Sequence, residues 1–275
     1  MFTELNSILN TSPESFSGGD FILVSDRQSD ASFLIHHFLS FYLRAQCKVC
    51  FLSLAQSFNH YSSVSQRLGV NLTQAKDKGQ LIFLEGLKES LSVLIPQAAD
   101  TGSQAMSFLR NPAPGLQSLY EFVRDSVTAS SSSVEEGTEE WGPPVLLVDD
   151  LSVLLSLGVN AGAVLDFTHY CRAAVCSQLQ GNMVMLVRCD GGEEEYDGDV
   201  EGPEWLLRCL THQCSLTLHV HGLPTGYCRD IHGQVEVCWR RRRGDGQHTQ
   251  KKLFQYKVHD KGASFFARGT SSAVL

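Results

Sequence analysis

The chain has 275 residues, a net charge of −8 and 43% hydrophobic residues, enough to bury the core of one large α/β domain or two small ones. The acidic balance argues against a free-standing nucleic-acid-binding protein, but it leaves room for a local basic patch. Residues 1–30 lack the pattern of a signal peptide, and no apolar run is long enough to cross a bilayer. Nine cysteines favour reduced, metal-free thiols in the cytoplasm, with the nucleus as a second location.

The first predicted strand is the apolar run at residues 21–24, and the loop after it departs from a phosphate-binding loop. Such loops have the pattern G-x-x-x-x-G-K-[ST]. Residues 25–33 contain no glycine and no lysine, so the backbone cannot easily wrap a phosphate and no ammonium group reaches one. Asp26 and Asp30 would repel a triphosphate, and Arg27 is the one cation. The loop therefore argues against nucleotide hydrolysis.

A helix after residue 30, a strand at 49–54, a helix near 60–68 and a strand at 80–85 follow. Glu85 ends the last of these strands, where open α/β sheets bind ligands. It could serve as a general base, and its alternatives are a solvated side chain or a helix cap.

Two pairs of residues in this part of the chain could suggest a metal site. His36 and His37 are adjacent, whereas metal-binding pairs on a helix are spaced i,i+4. Cys47 and Cys50 have the C-x-x-C form, but residues three apart on a strand face opposite sides. We therefore expect that neither histidine is a metal ligand and, because no second cysteine pair lies at zinc spacing, that Cys47 and Cys50 have a buried structural role.

The strongest local pattern is residues 143–150, where two prolines precede four apolar residues and then Asp149 and Asp150. Such a run predicts a strand buried on both faces, with the acids at its carboxyl end. In nucleotide hydrolases with this pattern the first acid holds magnesium. The alternative is that the acids cap the next helix.

The last third of the chain changes in pattern. A helix near 164–175, a strand at 182–187 and a short helix at 205–210 continue the α/β alternation, whereas residues 215–221, 234–239 and 253–258 alternate apolar with polar, which predicts antiparallel strands. Between the last two lies a basic run, predicted at a hairpin tip, where it could be simply solvated, contact an acidic neighbouring subunit or contact RNA phosphates. The run is Arg240, Arg241, Arg242 and Arg243. Residues 126–140 and 190–203 are polar and predict flexible insertions in a single domain spanning 1–275.

This order of elements resembles a RecA-like ATPase domain. The segments at residues 33–43, 79–87, 144–158 and 264–267 resemble, more closely, the family of the sixth subunit of the Elongator complex. Its members are RecA-like but lack the phosphate loop. The expected fold is α/β, a RecA-like three-layer fold with a mostly parallel central sheet and C-terminal antiparallel strands.

The resemblance implies a non-catalytic assembly subunit without catalytic residues, cofactors or metals. It implies a heterohexameric ring with the fourth and fifth Elongator subunits, which docks on the catalytic subcomplex, binds tRNA and supports modification of the wobble uridine. Four positions would then be vestiges of a nucleotide site: Arg27, Glu85, Asp149 and Asp150. Two alternatives remain open, a nucleotide hydrolase that uses Asp149, Asp150 and Glu85, and a stand-alone RNA-binding protein that uses the arginine run.

Overall fold

The computed structural model describes residues 2–95, 104–111, 115–128, 141–189, 202–224, 226, 228–243 and 246–267, with the backbone alone at 241–243 and 246–248. The strands are β1 (Phe21–Arg27), β2 (Cys47–Ser53), β3 (Leu81–Glu85), β4 (Gly142–Val148), β5 (Asn182–Cys189), β6 (Leu216–His221), β7 (Gly233–Arg243), β8 (Gly246–His259) and β9 (Gly262–Ala267). The α-helices are α1 (Thr3–Leu9), α2 (Ser32–Arg44), α3 (Phe58–Arg67), α4 (Leu72–Asp77), α5 (Gly86–Leu94), α6 (Gln117–Thr128), α7 (Ser152–Ser156), α8 (Ala161–Arg172) and α9 (Pro203–Thr211). A 3₁₀ segment, Gln104–Leu109, and a π-helical segment, Ala173–Gln178, complete the described elements.

All these strands form one sheet in the order β3-β2-β4-β5-β1-β6-β7-β8-β9. The six strands from β3 to β6 are parallel, and β7, β8 and β9 add antiparallel pairs. The mostly parallel sheet with C-terminal antiparallel strands is confirmed. The prediction for residues 215–221 is wrong in one respect, because β6 pairs parallel with β1 on one side and antiparallel with β7 on the other.

Hydrophobic cores lie on both faces of the sheet, which gives the predicted three layers. Along β1, Leu23 faces one core and Val24 faces the other, and both are fully buried. The helices α2 and α3 cover one face, and α6, α8 and α9 cover the other. Because the central strands are buried on both sides, their sequences are continuous apolar runs rather than alternating ones.

The prolines at 143 and 144 lie inside β4, although the sequence placed them just before it. The register between β2 and β4 shifts here, since Cys47 pairs with Gly142 but Val49 pairs with Val145. Both prolines therefore lie opposite a single residue, Lys48. Such a bulge removes the need for a regular ladder of N–H donors, so the prolines are tolerated.

The cysteine pair is buried, as expected, and the structure shows that His36 and His37 are buried as well. Cys47 and Cys50 lie in the cores on opposite faces of the sheet. The ring Nδ1 of His37 accepts a hydrogen bond from the Phe2 N–H at 2.9 Å. Burial lowers the pKa of His36 to about 4 and that of His37 to about 3, so both rings are neutral at pH 7. Within the described ranges, no helix is long and apolar enough to cross a membrane.

The two predicted insertions lie mainly outside the described residues, which exclude 129–140 and 190–201. Their boundaries need correction where the structure does describe them. Residues 126–128 form the last turn of α6, with Ser126 and Val127 buried, because Val127 continues the apolar face of that helix. At the other insertion, α9 begins at Pro203, which suits the first helical turn.

Deleting residues 129–139 should leave the melting temperature within about 2 °C of wild type, because so polar a segment contributes little burial. Differential scanning calorimetry measures this. As the matched control, deletion of 126–139 also removes the buried Val127 and should lower the melting temperature by several degrees. An equal drop in both variants would show that 129–139 is structural.

Candidate functional site

The carboxyl ends of the parallel strands bring together most of the polar residues selected from the sequence. β2, β4, β5 and β1 are consecutive in the sheet. Asp150 after β4 therefore approaches Arg188 near the end of β5, which also contacts Asp26 near the end of β1, whereas Asp149 contacts the loop after β2. This edge is where open α/β sheets bind ligands.

Arg188 occupies the centre of this edge and binds three carboxylates. Its Nε lies 3.0 Å from Asp150 Oδ2, its Nη1 lies 3.2 Å from Asp26 Oδ2, and its Nη2 lies 3.4 Å from Asp30 Oδ1. The side chains of Asp26 and Asp150 are 4% and 6% exposed, so these are buried ion pairs. Burial alone would lower the pKa of Arg188, but the three acids raise it overall. The single positive charge of Arg188 therefore neutralises only part of the negative charge of the three aspartates.

The loop after β1 closes the position where a phosphate would lie. The Ala31 N–H donates to Asp26 Oδ2 at 3.0 Å, and the Ser32 N–H donates to Asp30 Oδ1 at 2.9 Å. A helix N-terminus normally attracts anions through its unpaired N–H groups. Here the N–H groups of Ala31, just before α2, and of Ser32, its first residue, already bind the protein's own carboxylates, so acids take the place of phosphate oxygens at these two donors.

Asp149 is 2% exposed, and its carboxylate is held by internal donors. The N–H groups of Leu54, Ala55 and Gln56 donate to it at 2.6 to 3.3 Å, and the hydroxyls of Ser53 and Tyr61 donate at 3.0 Å. Burial raises the pKa of this carboxyl, and the hydrogen bonds oppose that rise. The residue in the position of a magnesium ligand thus ties the loop after β2 to β4.

Glu85 and Arg27 lie outside this cluster. Glu85 Oε1 accepts a hydrogen bond from the Phe58 N–H at 2.8 Å, at the first residue of α3, which is the helix-cap alternative stated for it. Arg27 lies 3.4 Å from Glu204 on α9, and its side chain is half exposed. The four predicted vestigial positions therefore divide into one buried pair, Asp149 and Asp150, and two separate contacts made by Glu85 and Arg27.

Sequence reasoning missed Arg188, Tyr61 and Ser53. Arg188 follows the apolar run of β5, and a lone cation at the carboxyl end of a buried strand could have been matched to the acids after β4. No local pattern marks Tyr61, which lies on α3 and reaches Asp149 across the fold. Its role arises from tertiary packing alone.

None of the residues that the structure describes form a group of three or more His, Cys, Asp or Glu side chains suited to a metal ion. All nine cysteines lie in the described part and are free thiols. Burial raises the pKa of Cys47, Cys50 and Cys176 to about 12, which disfavours the thiolate form that binds metals.

Asp150 gives the cluster a pH-dependent contribution to stability. Burial raises the pKa of its carboxyl to about 6, against the opposing effects of Arg188 and the Ser152 N–H. Since the folded state holds this proton more tightly than the unfolded chain, the stability that Asp150 provides at low pH is lost as the pH rises through 6.

Wild type should therefore lose stability relative to the Asp150→Asn variant as the pH rises. We expect the free energy of unfolding of Asp150→Asn minus that of wild type to increase by about 2 to 3 kcal/mol from about pH 4 to about pH 7.5. Urea unfolding at each pH measures this difference. Asp166→Asn, at an exposed position on α8, is the control for exchanging an aspartate for an asparagine. A relative loss for Asp150→Asn as the pH rises would contradict the assignment.

The predicted hairpin is present, and the arginine run occupies the last four residues of β7, in the strand that leads into the turn rather than in the turn itself. Its backbone continues the ladder with β8, with Arg240 opposite Thr249 and Arg243 opposite Gly246. The strands β7 and β8 are longer than the alternating segments from which they were predicted, so their pairing continues through the arginine run. Arg240 donates to the Thr211 carbonyl at the end of α9, and the remaining arginines continue toward the turn.

Comparisons with known proteins agree with this fold. Among solved structures, an uncharacterised protein from Pyrococcus horikoshii, in complex with an unknown peptide, aligns with a TM-score of 0.60 and 13% identity over 96% of both chains. A KaiC-like protein from Pyrococcus horikoshii OT3 aligns with a TM-score of 0.51 and 10% identity over 92% of both. At these identities the likeness concerns the fold alone, and it confirms the RecA-like class.

Sequence comparisons are closer. The relative named Elongator complex protein 6 from Danio rerio is 65% identical, and that from Homo sapiens is 51% identical, each over the full length of both chains. The protein of that name from Dictyostelium discoideum is 24% identical over 94% of this chain and 93% of its own. The family model described as Elongation complex protein 6 matches residues 2–260. The chain belongs to the Elongation complex protein 6 family.

Proposed function

We propose that this chain is a non-catalytic assembly subunit of the Elongator complex. In this proposal it forms a heterohexameric RecA-like ring with the fourth and fifth subunits, and the ring joins the catalytic subcomplex and binds tRNA in the cytoplasm. Through that contact it supports modification of the wobble uridine. The names of its relatives support membership of the complex.

The observation that carries the non-catalytic part is the closed carboxyl edge. Arg188 binds Asp26, Asp30 and Asp150, and Asp149 accepts hydrogen bonds from five residues. A nucleotide-hydrolysing site needs free carboxylate oxygens for magnesium and free N–H groups for phosphate. Both sets of groups are bound within the protein, which favours the assembly role over the hydrolase alternative.

This proposal predicts that phosphate release from ATP by the purified chain equals the enzyme-free background. The Asp150→Asn variant is the matched control, since it keeps the size of a candidate magnesium ligand but removes its charge. A phosphate-release assay with magnesium measures both proteins. Turnover that is present in wild type and lost in Asp150→Asn would overturn the non-catalytic role.

The charge distribution supports an RNA contact on the antiparallel part of the sheet. Residues 233–261 contain eight lysines and arginines and three acidic residues, in a chain whose net charge is −8. Among these cations, Lys251 pairs with Glu236 at 2.8 Å and Lys257 pairs with Asp230 at 2.8 Å. Arg side chains bind phosphates bidentately and without sequence preference.

The test compares tRNA binding by assembled rings with and without the arginines at 241–243. Arg240 is retained because it holds the end of α9. Replacement of the other three by alanine should weaken binding of every tRNA alike, and the slope of log affinity against log salt should fall by about one to two units per engaged copy. The charge-matched control is the triple variant Arg67→Ala, Lys78→Ala and Lys88→Ala. These three exposed cations lie on or directly after the helices α3, α4 and α5, away from the arginine run in the sequence.

The outcomes separate the alternatives. An intact ring with unchanged affinity would remove the arginine run from the RNA site. Loss of the ring would indicate that the run contacts an acidic neighbouring subunit. Tight, salt-dependent RNA binding by the free chain, without its partners, would favour the stand-alone RNA-binding alternative.

A further inference from the structure

A cleft of about 580 Å³ lies at the amino ends of the parallel strands, whereas the acidic cluster lies at their carboxyl ends. Its floor includes the residues that begin β1, β5 and β6. One wall is the segment between α1 and β1 together with α2, and the other comprises the ends of α8 and α9 and part of β7. Its volume lies in the range of small-molecule sites.

Two arginines converge in this cleft. Arg172 is the last residue of α8, and Arg240 enters from β7. Both line the cleft together with the buried Cys214, and the positive charge of each opposes the rise that burial causes in the pKa of that thiol. In the part of the chain that the structure describes, neither arginine forms a salt bridge with a carboxylate, and Asp20 is the one acidic residue lining the cleft.

The same cleft has aromatic walls and a polar group without a partner. Phe16 packs edge-on against Phe41 and Tyr42 at 5.8 Å, and the half-buried Trp239 lines the cleft beside Arg240. The buried Oε1 of Gln213 has no hydrogen-bond partner among the described residues. The π-helical segment that follows Arg172 borders the cleft, since the Cys176 thiol donates to the Asp20 carbonyl at 3.5 Å, and such segments are frequent at functional sites.

We propose that this cleft binds a nucleotide unit, with its phosphate at Arg172 and Arg240 and its base against the aromatic wall at Trp239. Arginine provides bidentate hydrogen bonds to phosphate, and aromatic side chains stack on any base. Gln213 lines the same cleft, and its unpartnered amide oxygen would become available to a base only if the side chain turned toward the ligand. An extended peptide would need an open strand edge, whereas β1, β5 and β6 are paired on both sides.

The proposal goes beyond the RNA contact of the arginine run, because the unit could be a free mononucleotide or one nucleotide of a single-stranded RNA. Isothermal titration of the full chain with UMP, AMP, uridine, inorganic phosphate and hexauridylate tests the site. We expect UMP and AMP to bind at least about tenfold more tightly than uridine or phosphate alone. Hexauridylate binding about tenfold tighter than UMP would identify RNA as the source, and equal binding would identify the mononucleotide.

Arg172→Gln should weaken UMP binding about tenfold, and Arg208→Gln on the exposed side of α9 should leave it unchanged. Arg172→Lys, which keeps the charge at the end of α8, serves if the glutamine variant does not fold and should show an intermediate loss. Hexaglutamate, a polyanion without bases, is titrated as the control for charge alone. The proposal fails if UMP does not bind at about 10 mM or if Arg172→Gln and Arg172→Lys both bind UMP like wild type. It also fails if phosphate or hexaglutamate binds as tightly as UMP. Failure of tRNA binding by rings altered at 241–243 would not affect these results.

Discussion

Replacing Asp149 with alanine is expected to lower the free energy of unfolding by about 3 to 5 kcal/mol. The carboxylate is the acceptor for the Leu54 and Ala55 N–H groups and for the Tyr61 hydroxyl, and the site is buried. Without it these donors lose their partner away from water, and each unsatisfied donor costs about 1 to 3 kcal/mol. The loss exceeds the gain from no longer burying a charge, because several donors are affected at once.

Urea unfolding monitored by circular dichroism measures the effect. Asp149→Asn should recover part of the loss, since its side-chain oxygen can still accept from the Leu54 N–H. Asp166→Ala on the exposed side of α8 should change stability by less than about 0.5 kcal/mol. If Asp149→Ala were as stable as wild type, the carboxylate would be free for another role, and the carboxyl edge would not be closed by these hydrogen bonds.

Replacing Arg188 with methionine is expected to cost about 3 to 5 kcal/mol at pH 7.5. The change leaves Asp26 and Asp150 buried without their cation. Removing one partner of a buried ion pair is more costly than replacing the whole pair. Because the unpaired carboxyls take up protons more readily in the folded state, the deficit should shrink as the pH falls toward 5.

A double-mutant cycle tests this assignment. Arg188→Met combined with Asp150→Asn should be more stable than the sum of the two single changes predicts, by at least about 1 kcal/mol. Arg208→Met, at an exposed position, provides the control for loss of an arginine. Strict additivity of Arg188→Met and Asp150→Asn would mean that the two side chains do not share a buried charge interaction.

The acidic half of the carboxyl edge was predictable because it is local in sequence. Four buried apolar residues followed by Asp149 and Asp150 define both a strand and its end. The absence of glycine and lysine from residues 25–33 likewise follows from the sequence directly. The order of strands and helices then gave the mostly parallel sheet, since each apolar run is bounded by turn or helix signals.

The partners of those acids depend on packing between distant elements, which no single segment encodes. Arg188 comes from a strand 36 residues after Ser152, and Tyr61 reaches Asp149 from 88 residues away. The hairpin that carries the arginine run was predicted, but the length of its strands was not, for a related reason. Strand length in a hairpin depends on the register of both strands, and the polar residues at 240–243 gave no local signal that pairing continues.

The position of β1 in the middle of the sheet has a consequence for folding during synthesis. β1 is synthesised well before its neighbours β5 and β6, so Phe21 cannot pair until Met183 has been synthesised, and Ile22 cannot pair until Leu216 has been. At typical translation rates these partners follow roughly 10 to 30 seconds later. During that interval both edges of an apolar strand are open to incorrect pairing, and such non-local contacts also slow folding itself. Chains released before residue 221 would lack one side of the central ladder and should depend on chaperones until degraded.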